Sequence, residues 1–158
     1  MATDRAPEAR PNAGGGGSAA PARQLAIVTC MDARIDPPAA MGLLLGDAHV
    51  IRNAGAVVSD DVLRSLVLSQ RLLGTQAVAV IAHTQCALGS LDDGELRSAL
   101  EAETGQAPSF AFGAFSELED HVRDQVERVR SCPWLPHRGE VRGYVLDISD
   151  GSLRAVEG

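Results

Sequence analysis

The chain has 158 residues, 45% of them hydrophobic and 22% charged, a size and composition that suit one globular domain with its own core. Its net charge of −7 and scattered basic residues exclude a nucleic-acid partner, whose phosphates are bound by clustered Lys and Arg. No apolar run reaches the roughly 20 residues of a membrane span, which excludes a membrane partner as well.

Three cysteines, Cys30, Cys86 and Cys132, form an odd and sparse set. That is a poor disulfide framework and suits a reducing compartment, and the N-terminus lacks the apolar core of a secretory signal; a cytoplasmic location is expected. Aromatic residues are only 3%, so the core must be built from Ala, Val, Leu and Ile.

In chain order, residues 1–23 are dominated by Pro, Gly and Ala. Such a segment buries too little surface to offset its ordering entropy, and it is expected to be a disordered arm or one that orders only against a partner subunit. Residues 24–158 are expected to form a single α/β domain. "QLAIVTC", Gln24 to Cys30, is a short apolar run with β-branched residues and predicts a strand buried on both faces. "PPAAMGLLLG", Pro37 to Gly46, predicts a short helix with Pro at its start and Gly at its end. "AHVIRNAG", Ala48 to Gly55, predicts a second strand that runs into a small-residue turn.

Ser59 is placed to cap a helix that Asp60 and Asp61 favour at its positive end and Gly74 terminates. The apolar face of that helix is wide, so it is deeply packed or forms a subunit interface. "QAVAVIAH", Gln76 to His83, predicts a third buried strand. A polar helix is expected around Asp93 to Glu103. Another is expected from about Gly113 to Ser131, where Phe115, Leu118, Val122, Val126 and Val129 fall at helical spacing and His121 is expected to face solvent. "VRGYVLDISDGSLRAVE" predicts a hairpin turning at Asp150-Gly151. Strands alternating with helices predict an α/β fold with a mainly parallel sheet flanked by helices.

In such sheets the functional crevice lies beyond the carboxyl ends of the strands. Two apolar strands end there at Cys30 and His83, and Cys86 follows His83 by three residues. Two thiolates and one imidazole with an open position make the pattern of a catalytic zinc site, and soft sulfur with nitrogen favours zinc over magnesium or calcium. Each residue also has a plainer reading. A lone Cys is usually a small buried hydrophobe, and a His at a strand end an ordinary hydrogen-bonded one. Asp32 and Arg34, two residues apart, can pair bidentately or form a simple surface ion pair. Cys132, His49 and His137 lack company and are expected to be structural.

Taken together, "CMDARIDP", "VIRNAG" and "HTQC" resemble the β-class carbonic anhydrase family, particularly its short bacterial members. The resemblance runs from about Gln24 to Val156 and includes "DDVLRSLVLSQRLLGT" and "GYVLDISDGSL". It implies zinc held by Cys30, His83 and Cys86, an Asp32–Arg34 catalytic dyad, and Asp32 as a fourth ligand in a closed state. It also implies reversible hydration of carbon dioxide to bicarbonate and a proton, with hydroxide generated at the metal, in a homodimer or homotetramer. Ala54 and Gly55 are candidates for the wall of the substrate pocket. Gln85 and Ala87 depart from the Asp and Gly usual at these positions. Hydrolysis of carbonyl sulfide or carbon disulfide, a catalytically silent zinc-binding homologue, and a redox pair of Cys30 with Cys86 are the alternatives.

Overall fold

The structure, a computed structural model, describes residues 17–158. Five strands form one sheet: β1 (Leu25–Cys30), β2 (Ala48–Asn53), β3 (Ala77–His83), β4 (Val141–Leu146) and β5 (Leu153–Val156). Their spatial order is β2-β1-β3-β4-β5, all parallel except β5, which pairs antiparallel with β4. The continuous apolar runs of β1 and β3 follow from this order, because neither strand meets solvent on either face. Edge strand β2 alternates instead, with Val50 and Arg52 exposed.

Side chains of the sheet feed a core on each face. On one side Ala26, Val28, Val78, Val80 and Val141 pack with Val62 and Leu66 of α2 (Asp60–Leu73) and with Val122, Val126 and Val129. The latter belong to the helix over Leu118–Arg130, termed α4 below. On the other side Ile27, Ala79, Ile81 and Leu146 pack with Ile35, Met41 and Leu43 around α1 (Pro37–Ala40). Gly143 of β4 lets α4 lie flush on the sheet, since a Cβ there would run into Val122 and come within 3.2 Å of Val126.

Helix signals operate as expected at α2. The Ser59 hydroxyl accepts from the Val62 N–H, and Gly74 closes the helix in the left-handed conformation. Helix α3 (Asp93–Thr104) is capped by Asp92 and ends at Gly105.

Three boundaries differ from expectation. Helix α1 stops at Ala40 rather than near Gly46, because Gly42 turns left-handed (φ 69°). Helix α4 starts at Leu118, not Gly113. Before it, the Phe112 and Ala114 N–H groups donate to the Asp93 carboxylate and the Phe115 N–H donates to the Leu88 carbonyl, so these donors are committed outside any helix. The β4–β5 connection spans residues 147–152, not a two-residue turn. Asp147 organises it, accepting from the Gly151 N–H through its carbonyl and from the Ser149 N–H and hydroxyl through its carboxylate.

Most of the expected N-terminal arm, residues 1–16, lies outside the described residues. Ala19, Ala22 and Arg23 hydrogen-bond to their own chain. The Ala22 and Arg23 N–H groups donate to the Gly46 and Asp47 carbonyls, and the His49 Nε2–H donates to the Ala19 carbonyl at 2.8 Å. His49 Nδ1 meets the Ser69 hydroxyl at 2.8 Å, and Cys132 is buried in the core, so both serve the fold.

Candidate metal centre

β1 and β3 are hydrogen-bonded neighbours, so their carboxyl ends place Cys30 and His83 side by side. The chain then doubles back within three residues. The Thr84 N–H donates to the Leu146 carbonyl, and Gln85 adopts a left-handed conformation (φ 55°) that returns Cys86 toward His83. One ligand atom from each of Cys30, His83 and Cys86 then lies within 4.8 Å of the others.

The imidazole of His83 is fully buried, and its Nδ1 lies 2.8 Å from the Thr84 carbonyl. A carbonyl only accepts, so Nδ1 carries the proton and Nε2 presents a lone pair. That Nε2 is the one buried side-chain polar atom without a hydrogen-bond partner among the described residues. It faces Asp32 Oδ2 at 3.7 Å, lone pair toward carboxylate. Burial pushes the Cys86 thiol up, and the neighbouring Cys30 pushes it further. Two thiols, an unsatisfied imidazole nitrogen and a carboxylate edge turned toward one point are mutually unfavourable without a cation and mutually compatible with one. The donor set fits zinc.

Asp32 is locked from outside this point. Its Oδ1 accepts from the Arg34 N–H at 2.9 Å and from Arg34 Nε at 3.0 Å, and its Oδ2 accepts from Nη2 at 2.7 Å. These bonds from the Arg34 side chain and backbone hold the carboxyl well below the usual carboxylate range. Arg34 Nη2 also donates to the Gln85 carbonyl at 3.0 Å, so the left-handed turn at Gln85 ties the dyad to the His83–Cys86 segment. Ala87 opens a short 3-10 turn over Ala87–Ser90. A cleft of about 430 Å³ reaches the centre between His83, Cys86 and Ala87 on one side and Phe115 and Leu118 on the other. Ala54 and Gly55 are not in its lining. Gly55 is buried behind Leu88, whose Cδ2 would sit 2.5 Å from an added Cβ.

Two supporting residues escape sequence reasoning. Arg52, on β2, reaches across to the β1 end: Nε donates to the Cys30 carbonyl at 2.8 Å and Nη2 to the Asp32 carbonyl at 2.7 Å. It thereby fixes the loop that carries Cys30 and Asp32. "VIRNAG" contains Arg52, but nothing in that string says that its side chain reaches the end of the neighbouring strand and the loop beyond it, at Cys30 and Asp32. His121 is the second. The structure buries it, to 7% exposure, where a solvent-facing position is expected from the charges around it on α4.

Residues 25–153 match the model of the family described as carbonic anhydrase. Beta-carbonic anhydrase 1 of Mycobacterium tuberculosis is 40% identical over 136 residues, covering 86% of this chain and 83% of that protein. A carbon disulfide hydrolase of Acidithiobacillus thiooxidans is 30% identical over 152 residues, covering 84% of this chain and 76% of its own length. Among solved structures, carbonic anhydrase from Streptococcus mutans superposes with a TM-score of 0.85 at 35% identity, covering 91% of this chain and 87% of that one.

Proposed function

The chain belongs to the β-class carbonic anhydrase family, and from that membership we propose that it catalyses the reversible hydration of carbon dioxide to bicarbonate and a proton, with zinc held by Cys30, His83 and Cys86. The observation that carries the reading is the orphaned, fully buried Nε2 of His83 converging with two sulfurs at the ends of neighbouring strands. Bound zinc supplies a nucleophile near neutral pH by lowering the pKa of water from 15.7 to about 7.

The chain's own residues supply orientation. Asp32, kept ionised by Arg34, accepts hydrogen bonds and cannot donate one, so it selects and aims a protonated nucleophile beside His83. Because its carboxyl stays below the ordinary range, it is a poor proton acceptor at neutral pH; it positions and does not shuttle. Its closed-state role as a fourth ligand requires Arg34 to give up three hydrogen bonds. Arg52 keeps the Cys30–Asp32 backbone in place while Asp32 works. The cleft beside Phe115, about 430 Å³, has room for a molecule the size of carbon dioxide.

The test is metal analysis of the purified chain with stopped-flow carbon dioxide hydration. About one zinc per chain and hydration removed by chelation are expected; a metal-free active chain overturns the reading. Turnover of carbonyl sulfide and carbon disulfide belongs in the same assay, since a relative carries the latter activity in its name. A homodimer or homotetramer is part of the proposal: Leu68 of α2, 42% exposed, lines one groove with Trp134, 62% exposed, and Leu72 of the same helix is 73% exposed. Sedimentation as a monomer at micromolar concentration contradicts it. The free thiols accord with a cytoplasmic location, and no helix among the described residues is long and apolar enough to cross a membrane.

A further inference from the structure

His121 hydrogen-bonds to none of the candidate ligands. Phe115 stacks on its ring, with centroids 4.2 Å apart and planes at 17°. Its Nε2 lies 2.8 Å from the Gly55 carbonyl. That oxygen only accepts, so Nε2 carries the hydrogen. On the other side of the same residue, the Gly55 N–H donates to Cys30 Sγ at 3.3 Å. Gly55 therefore connects an imidazole on α4 to the sulfur at the end of β1.

The connecting turn has little freedom. Gly55 (φ 77°) and Ala56 (φ 56°) are both left-handed, and for Ala56 that conformation is strained and must be imposed by its surroundings. Asn53 clamps the turn at its base: its Nδ2 donates to the Val57 carbonyl at 2.7 Å, and its Oδ1 accepts from the Val57 N–H at 2.9 Å. Leu88 fills the space beside Gly55. The bond from His121 to the Gly55 carbonyl holds the far end of the turn.

We propose that His121 is a positioning residue for the metal centre: by tethering the Gly55 carbonyl it holds the Gly55 N–H on Cys30 Sγ and so sets how strongly that sulfur donates to the metal. An N–H bonded to a thiolate draws electron density from it, which leaves the metal a stronger Lewis acid. The inference rests on the zinc reading given above.

Cobalt(II) replaces zinc in the full-length chain for the test, because its sulfur-to-metal absorption reports sulfur donation directly. His121→Phe keeps a ring on Phe115 and removes the N–H. His121→Gln keeps a side-chain N–H at similar reach. The Phe variant is expected to shift the cobalt sulfur-to-metal band to lower energy, because a sulfur relieved of its N–H donates more strongly to the metal. The Gln variant is expected to move the band back toward wild type. A merely structural role lowers the urea midpoint of the metal-free variants and leaves the band in place; that result overturns the proposal.

If the Phe variant does not fold, the ¹⁵N-labelled wild-type chain decides. Exchanging zinc for cadmium should move both the Gly55 amide and the His121 Nε2–H resonances. A Gly55 shift with His121 unmoved overturns the coupling and leaves the zinc reading standing. A wild-type chain that takes up neither cobalt nor zinc overturns both.

Discussion

Asp32 owes its direction to Arg34, and Arg34 owes its own to the carbonyl of Gln85. Replacing Asp32 with Asn keeps the shape and removes the charge that Arg34 grips. Hydration is expected to fall by about 10²-fold or more, the scale of a misaimed reacting group. Zinc content should stay at wild-type level, because Cys30, His83 and Cys86 are proposed to hold the ion whether or not Asp32 joins them. An Asn variant with wild-type turnover in stopped flow would remove Asp32 from the mechanism. At this scale the sequence is legible where chemistry is crowded into a short string, as in Cys30 to Arg34. It is illegible where a side chain acts on backbone far away. Arg52 and His121 both bond carbonyls, and the His121 partner lies 66 residues off, so no local spacing marks either. The charges flanking His121 point it outward on paper; its burial comes from a turn that packs against α4 only in the folded chain.

Among the elements, α4 shows how one missing side chain sets a helix's height above a sheet. Val122 and Val126 occupy the place where a side chain of Gly143 would stand. Gly143→Val forces α4 outward, and a loss of about 1–3 kcal/mol is expected, the usual cost of overfilling a packed core. Urea denaturation measures it, and an unchanged midpoint would mean that α4 does not rest on β4 as described. The apolar runs of β1 and β3 and the cap at Ser59 announce their elements from local composition alone. The start of α4 does not. Phe115 and Leu118 fit the helical period, but the N–H groups before Leu118 find acceptors on Asp93 and Leu88. Periodicity cannot register such competition, because the competing acceptors come from other parts of the chain.

For the whole molecule, the pH dependence of stability follows from which groups folding shifts. Burial pulls the His121 pKa below its ordinary value, with the Gly55 carbonyl and Asp124 only partly opposing. Between that depressed value and about 6.5 the unfolded chain binds a proton that the folded chain refuses, so stability rises with pH through this window and is fully present above it. Asp32 and Asp147 are shifted downward, by Arg34 and by Ser149 respectively, so their contributions persist until the pH falls below the ordinary carboxylate range near 3.9. The urea midpoint of metal-free protein is therefore expected to drop between pH 7.5 and 5.5, and to drop less in His121→Gln. Equal drops would show that His121 does not titrate on unfolding. The α/β class and parallel order are legible at this scale, because alternation of strands and helices constrains topology. The strand order has a further consequence. Cys30 and His83 terminate β1 and β3, neither of which is an edge strand, so fraying from the sheet edges reaches them late and their amide protons should exchange with solvent only on global opening. A scaffold that opens last can lose its ion and take another without unravelling; it is a socket that outlives its contents.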